Sequence, residues 1–110
     1  MNQSLPEEIT VVEAHERRSS DKELLFLDVR EPFEIAYANL NPDFEISLQN
    51  LEDHWTRLPN DRPVIVYCHH GMRSLHATKF LRAKGIEKAQ SMAGGIDAWS
   101  LKIDSSTPRY

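Results

Sequence analysis

Val64-Ile65-Val66-Tyr67-Cys68-His69-His70-Gly71-Met72-Arg73-Ser74 decides how this chain is read. Four apolar residues follow Pro63 and run straight into a cysteine. A run this short, apolar at every position and bounded by turn residues, suits a strand covered on both faces of a parallel sheet. The strand hands Cys68 to a short loop containing Gly71, and a helix follows. From Arg73 to Lys84, Ala77, Phe80 and Leu81 recur at helical spacing, with His76, Lys79 and Arg82 on the other side. Gly85 then serves as a C-terminal cap.

The same grammar repeats outward from this segment. Leu24-Leu25-Phe26-Leu27 is a second short apolar run, ending in Asp28. Ala89–Met92 and Phe44–Leu48 are weaker strand candidates, and Ile9-Thr10-Val11 reads as an edge strand. Helical stretches lie between: Val12–Arg18, Asn50–Leu58 stopped by Pro59, and Ile96–Leu101 after Gly94-Gly95, with Trp99 facing inward. Strands alternating with helices predict an α/β domain with a mostly parallel sheet. In such sheets ligands bind beyond the carboxyl ends of the strands. Asp28 and Cys68 both stand at that end. Trp55, Trp99 and Phe80 read as core, and His15, His54 and His76 have no partners visible in sequence.

The chain has 110 residues, enough for one core, and contains no internal repeat or linker. We expect a single domain over 1–110, with its core over 5–103 and with 1–4 and 104–110 frayed. No apolar run approaches the roughly 20 residues of a membrane span. The N-terminus lacks the basic and apolar regions of a signal peptide, so the default expectation is a cytoplasmic protein without membrane contact. A net charge of −4 argues against nucleic acid as a partner. The distribution says more: residues 1–61 carry net −9, whereas residues 62–86 carry Arg62, Arg73, Lys79, Arg82 and Lys84 and no acid. Cys68, the only cysteine, lies inside that basic stretch. A single cysteine excludes an internal disulfide and any zinc site built on several cysteines.

A loop leading from a strand into a helix N-terminus turns successive N–H groups inward, as a nest for an anion. Such a setting, with cations nearby, favours the thiolate, which is the nucleophilic form. The bland alternative for Cys68 is a small buried hydrophobe. Its position after a strand and before a glycine loop favours the reactive reading. Arg73 offers a planar fork suited to an oxyanion. Zinc on Cys68, His69 and His70 is disfavoured, because consecutive side chains rarely converge on one tetrahedral ion. No metal or other cofactor is expected.

Cys68-His69-His70-Gly71-Met72-Arg73-Ser74 resembles the active-site loop of the rhodanese-like sulfurtransferases. Leu27-Asp28-Val29-Arg30-Glu31-Pro32-Phe33-Glu34-Ile35 is similar to that family's upstream motif, and Met92-Ala93-Gly94-Gly95-Ile96-Asp97-Ala98-Trp99 to its ending. Three ordered motifs over about residues 24–100 are far more specific than one. The segment 36–43 departs from the histidine and Ile-Pro-Gly-Ala-like turn usual in relatives, in a region that shapes their pocket mouth. The resemblance implies a small three-layer α/β domain with a central parallel sheet flanked by helices. It also implies transfer of a sulfane sulfur, from thiosulfate or a related anionic donor, through a persulfide on Cys68 to a thiol or cyanide. A thioredoxin-like or sulfur-carrier protein is a candidate acceptor. Residues 69–73 would stabilise the anionic sulfur through their amides, and Arg73 would hold the anionic part of the donor or stabilise the thiolate. His69 and His70 would lend the loop backbone. Asp28, Arg30 and Ser74 are supporting candidates, the first two as contacts to the loop, as a hold on Arg73, or as a structural salt link. Asp97 resembles an acid at a helix N-terminus.

Two rival classes share these residues. A cysteine-dependent phosphatase or arsenate reductase also needs a cysteine, an anion loop and an arginine. Here only four residues separate Cys68 from Arg73, a ring suited to one sulfur rather than a tetrahedral oxyanion. A non-catalytic binding or regulatory module is the other rival, since fold alone does not fix function.

Overall fold

The computed structural model describes residues 5–110; the frayed ends expected at 1–4 lie outside the described residues. The chain runs β1 (Glu8–Ile9), α1 (Val11–Ser20), β2 (Leu25–Asp28), α2 (Pro32–Tyr37), β3 (Phe44–Glu45), α3 (Leu51–His54), β4 (Val64–Tyr67), α4 (Met72–Ala83), β5 (Ala89–Met92), α5 (Gly95–Lys102). Short 3-10 turns, Leu48–Asn50 and Trp55–Arg57, flank α3. The strands form one parallel sheet in the order β1-β5-β4-β2-β3. The expected α/β class and parallel sheet are therefore what the chain adopts.

Alternation along the central strands builds the layers. Leu25, Leu27, Val64 and Val66 face a core completed by Leu51 of α3 and Ala77 and Leu81 of α4. Phe26, Ile65 and Tyr67 face the other side, against Val11 and Ala14 of α1 and Ile96 and Trp99 of α5. Strands covered on both faces need no polar alternation, which is why these runs are apolar throughout.

The sheet also locates the site. β2 and β4 are neighbours, paired from Leu25↔Val64 to Asp28↔Tyr67, yet their onward connections run in opposite directions across the sheet, to β3 and β5. A crevice beyond the carboxyl ends of such a pair is where open α/β sheets bind ligands. Cys68 follows β4 there, and α2 follows β2.

Several boundaries differ from the sequence expectation. Thr10 is not in a strand: it caps α1, in a reciprocal capping box with Glu13. Helix α2 was not expected; Pro32 stands at its first position and Glu34 reaches back to the Glu31 amide. The helix expected over Asn50–Leu58 is one α-helical turn between two 3-10 turns. Gly85, by contrast, ends α4 as expected, with φ +100° and Ile86 N–H returned to Leu81 O.

The fraying expected at 104–110 is corrected. Ser100 Oγ donates to Thr107 O at 2.6 Å, Arg109 pairs with Asp97 at 2.9 Å, and the Tyr110 hydroxyl donates to Glu34 Oε2 at 2.7 Å. Polar anchors at three points, not an apolar pattern, hold this segment.

Candidate active site

Cys68 is 1% exposed, and its sulfur accepts two backbone N–H bonds, from Gly71 at 3.1 Å and Ser74 at 3.3 Å. The thiol also lies 3.5 Å from Ser74 Oγ, to which it can donate. Ser74 Oγ donates to Gly71 O at 3.2 Å, leaving Ser91 Oγ to donate to it at 2.7 Å. The serine thereby ties the first turn of α4 to β5. Gly71 itself caps α4 with φ +109°, a left-handed conformation that suits glycine.

The first two carbonyls of this segment are drawn toward α5. Ile96 N–H donates to Cys68 O at 2.9 Å, and Asp97 N–H to His69 O at 3.1 Å, both from the first turn of α5. The approach is close enough that a Cβ on Gly95 would collide with both carbonyl oxygens. The amides of His69, His70, Met72 and Arg73 make no hydrogen bond to another described residue. Of the donors expected over residues 69–73, only Gly71 contacts the sulfur directly, and Ser74, one residue beyond, is the second.

Arg73 does not present an open fork. Its two terminal nitrogens, Nη1 and Nη2, donate to the two carboxylate oxygens of Glu34, at 2.7 and 2.9 Å. Glu34 also accepts from the Tyr110 hydroxyl and from the Glu31 amide. The Arg73 bonds, opposed by burial and helped by Tyr110, hold the Glu34 carboxyl down to about 2. Asp28 and Arg30 do not reach Cys68 or hold Arg73. They pair with each other at 2.7 Å, both fully buried, and Arg30 further donates to Ala38 O at 2.6 Å and to the Tyr110 hydroxyl at 2.9 Å. Burial works against the Arg30 charge, but the Asp28 and Tyr110 bonds outweigh it and raise its pKa. The structural salt link is thus the arrangement seen for this pair.

Tyr110 closes one side of the loop. Its ring stacks on His69 with centroids 3.8 Å apart and planes 8° apart, and His69 stacks in turn on His70 at 3.8 Å. Burial, with some repulsion from His70, lowers the His69 pKa. His69 Nε2 is buried without a hydrogen-bond partner. His69, His70 and Asp97 bring ligand-type atoms within 4.8 Å of one another. The stacked rings, only 25° from parallel, cannot aim both in-plane lone pairs at one ion, so this arrangement does not fit a metal. Met72 is 79% exposed at the rim.

Folding disperses the basic stretch of residues 62–86. Arg62 precedes β4, at the strand end opposite Cys68, and pairs with Glu23 at 3.0 Å. Lys79 lies 3.6 Å from Glu7, and Arg82 donates to Ala89 O and Pro6 O. Only Arg73 belongs to the loop. Glu34 and Tyr110 are the residues that sequence reasoning missed: their partners lie 39 and 76 residues away along the chain.

The family model for the rhodanese-like domain matches residues 10–102. A sulfurtransferase of Allochromatium vinosum is 29% identical over 85 residues, covering 77% of this chain and 79% of that protein. The thiosulfate sulfurtransferase GlpE of Vibrio cholerae is 29% identical over 98 residues, covering 86% of this chain and 92% of that one. Among solved structures, a rhodanese-related protein of Thermoplasma volcanium superposes with a TM-score of 0.78 at 32% identity, covering 92% of this chain and 94% of that chain.

Proposed function

Because the chain belongs to the rhodanese-like domain family, we propose that it is a sulfurtransferase in which Cys68 carries a sulfane sulfur as a persulfide. The observation that carries this reading is the buried Cys68 sulfur receiving two amide donors inside a loop whose other amides are unengaged. In this reading those amides serve the anionic outer sulfur, the role of preorganised donors in an oxyanion hole. The sulfurtransferase names of two relatives point the same way.

In the first half-reaction the Cys68 thiolate attacks the outer sulfur of the donor. A new S–S bond forms, the donor's S–S bond breaks, and the leaving group departs with the electron pair, as sulfite from thiosulfate. In the second, an acceptor nucleophile attacks the outer sulfur and Cys68 leaves as thiolate. The sequence holds no second cysteine to resolve the persulfide, so the acceptor is an outside group: cyanide in an assay, a small thiol, or the thiol of a thioredoxin-like or sulfur-carrier protein.

Steady-state transfer to cyanide tests the reading. Parallel double-reciprocal lines and loss of thiocyanate formation in Cys68→Ser are expected. Aryl-phosphate turnover exceeding sulfur transfer would reassign the class to phosphatase. That outcome is disfavoured, because the Arg73 fork a phosphate would need is already on Glu34.

A further inference from the structure

We propose that the cysteine loop selects sulfane donors of low charge over dianions such as thiosulfate, and that Glu34 sets this preference by cancelling Arg73. The proposal rests on the sulfurtransferase reading and adds the donor class to it.

Every arginine that reaches the loop's surroundings is matched by an acid. Arg73 lies on Glu34 at 2.7 and 2.9 Å, Arg30 on Asp28 at 2.7 Å, and Arg109 on Asp97 at 2.9 Å. His70 lies 3.9 Å from the same Asp97 carboxylate. Burial favours the neutral form of His69. Glu34 is pinned from four directions, by two Arg73 nitrogens, the Tyr110 hydroxyl and the Glu31 amide, so Arg73 cannot be drawn away by a weakly held ligand. What remains for an anion is a set of amide dipoles.

Amide dipoles suit one diffuse negative charge on sulfur. A thiolate attacking a dianion gathers three negative charges in one place, and among the described residues no arginine beside the loop is left unpaired to offset them. A monoanionic or neutral donor, such as an organic thiosulfonate or a thiol persulfide, meets less repulsion. Glu34 is a positioning residue in this scheme, acting on the donor through Arg73.

Thiosulfate and methanethiosulfonate separate charge from shape, since a methyl group replaces one oxyanion. With the second donor, Cys68 thiolate takes the outer sulfur, the donor's S–S bond breaks, and methanesulfinate leaves with the electron pair. The kcat/KM ratio of the two donors is measured for the full chain and normalised to their reaction with free cysteine. Wild type should prefer methanethiosulfonate, and added salt should raise the relative rate with thiosulfate. Glu34→Gln, which frees Arg73, and Asp97→Asn, which frees Arg109, should each move the ratio toward thiosulfate by about tenfold, the scale of one partly screened charge. A wild type that prefers thiosulfate with a rate falling in salt would overturn the proposal, and that arm needs no variant. An unchanged ratio in both folded variants would overturn it as well. If neither donor adds sulfur to Cys68, the sulfurtransferase reading itself fails, which is a distinct result.

Discussion

Glu34 spends its carboxylate oxygens on Arg73 and Tyr110, from two distant parts of the chain, and on the nearby Glu31 amide; Tyr110 is the partner contributed by the C-terminal segment. Tyr110→Phe keeps the His69 stack and removes two hydrogen bonds, one to Glu34 and one from Arg30, so it should cost about 2 kcal/mol in a urea titration. Tyr110→Ala loses the stack too, and should speed alkylation of Cys68 by iodoacetamide beyond the rate in Tyr110→Phe; equal rates in the two would contradict a covering role for the ring. The depressed Glu34 pKa makes a further prediction. A carboxylate held near 2 in the folded protein, against about 4.3 in an unfolded chain, stabilises the fold fully above the unfolded value. That contribution, on the order of 2 kcal/mol once the exposure of Arg73 is discounted, is lost as pH falls from about 4.3 through 2. Glu34→Gln should therefore flatten the acid limb of stability against pH, and an unchanged limb would contradict the pairing. At this scale the sequence was partly legible. Cys68, Gly71 and Ser74 stand where local spacing put them. Arg73 looked free because charge partners converge through the fold, and nothing near residue 73 announces Glu34.

Two elements make the cysteine loop work, and only one is adjacent to it in sequence. Helix α4 supplies the Ser74 amide at its start, while α5 holds the carbonyls of Cys68 and His69 away from the sulfur. Gly95 allows that approach. Gly95→Ala should collide with the loop and adopt a strained φ, costing on the order of 3 kcal/mol and lowering activity more than stability alone accounts for. A variant as stable and active as wild type would show that α5 does not shape the loop. The strands at β2 and β4 were legible as unbroken apolar runs, because both faces are covered. Helix α2 escaped notice because it is six residues long and most of its length is exposed, leaving no apolar stripe to read. Its only local signals are Pro32 at the first position and the Glu31–Glu34 spacing. The Thr10–Glu13 box was likewise present in sequence, but the alternation beside it read as strand.

The whole molecule joins a sheet whose class is written in alternating strands and helices to a charge pattern that linear sequence misrepresents. The basic stretch around Cys68 suggests a positive field, yet Arg62, Lys79 and Arg82 are spread over other parts of the domain and engaged there. Charge that is contiguous along a chain is not contiguous on a surface once a strand and a three-turn helix have separated it. What survives at the site is the strand-to-helix loop and its amides, which is why the cysteine carries the account and the charge count does not. Intact mass after a sulfane donor tests it most directly. Wild type exposed to thiosulfate or methanethiosulfonate should gain one sulfur atom, located on Cys68, and return to its starting mass on addition of cyanide, while Cys68→Ser gains none. A wild type whose mass never changes with either donor, or a Cys68→Ser protein that still turns over, would contradict it.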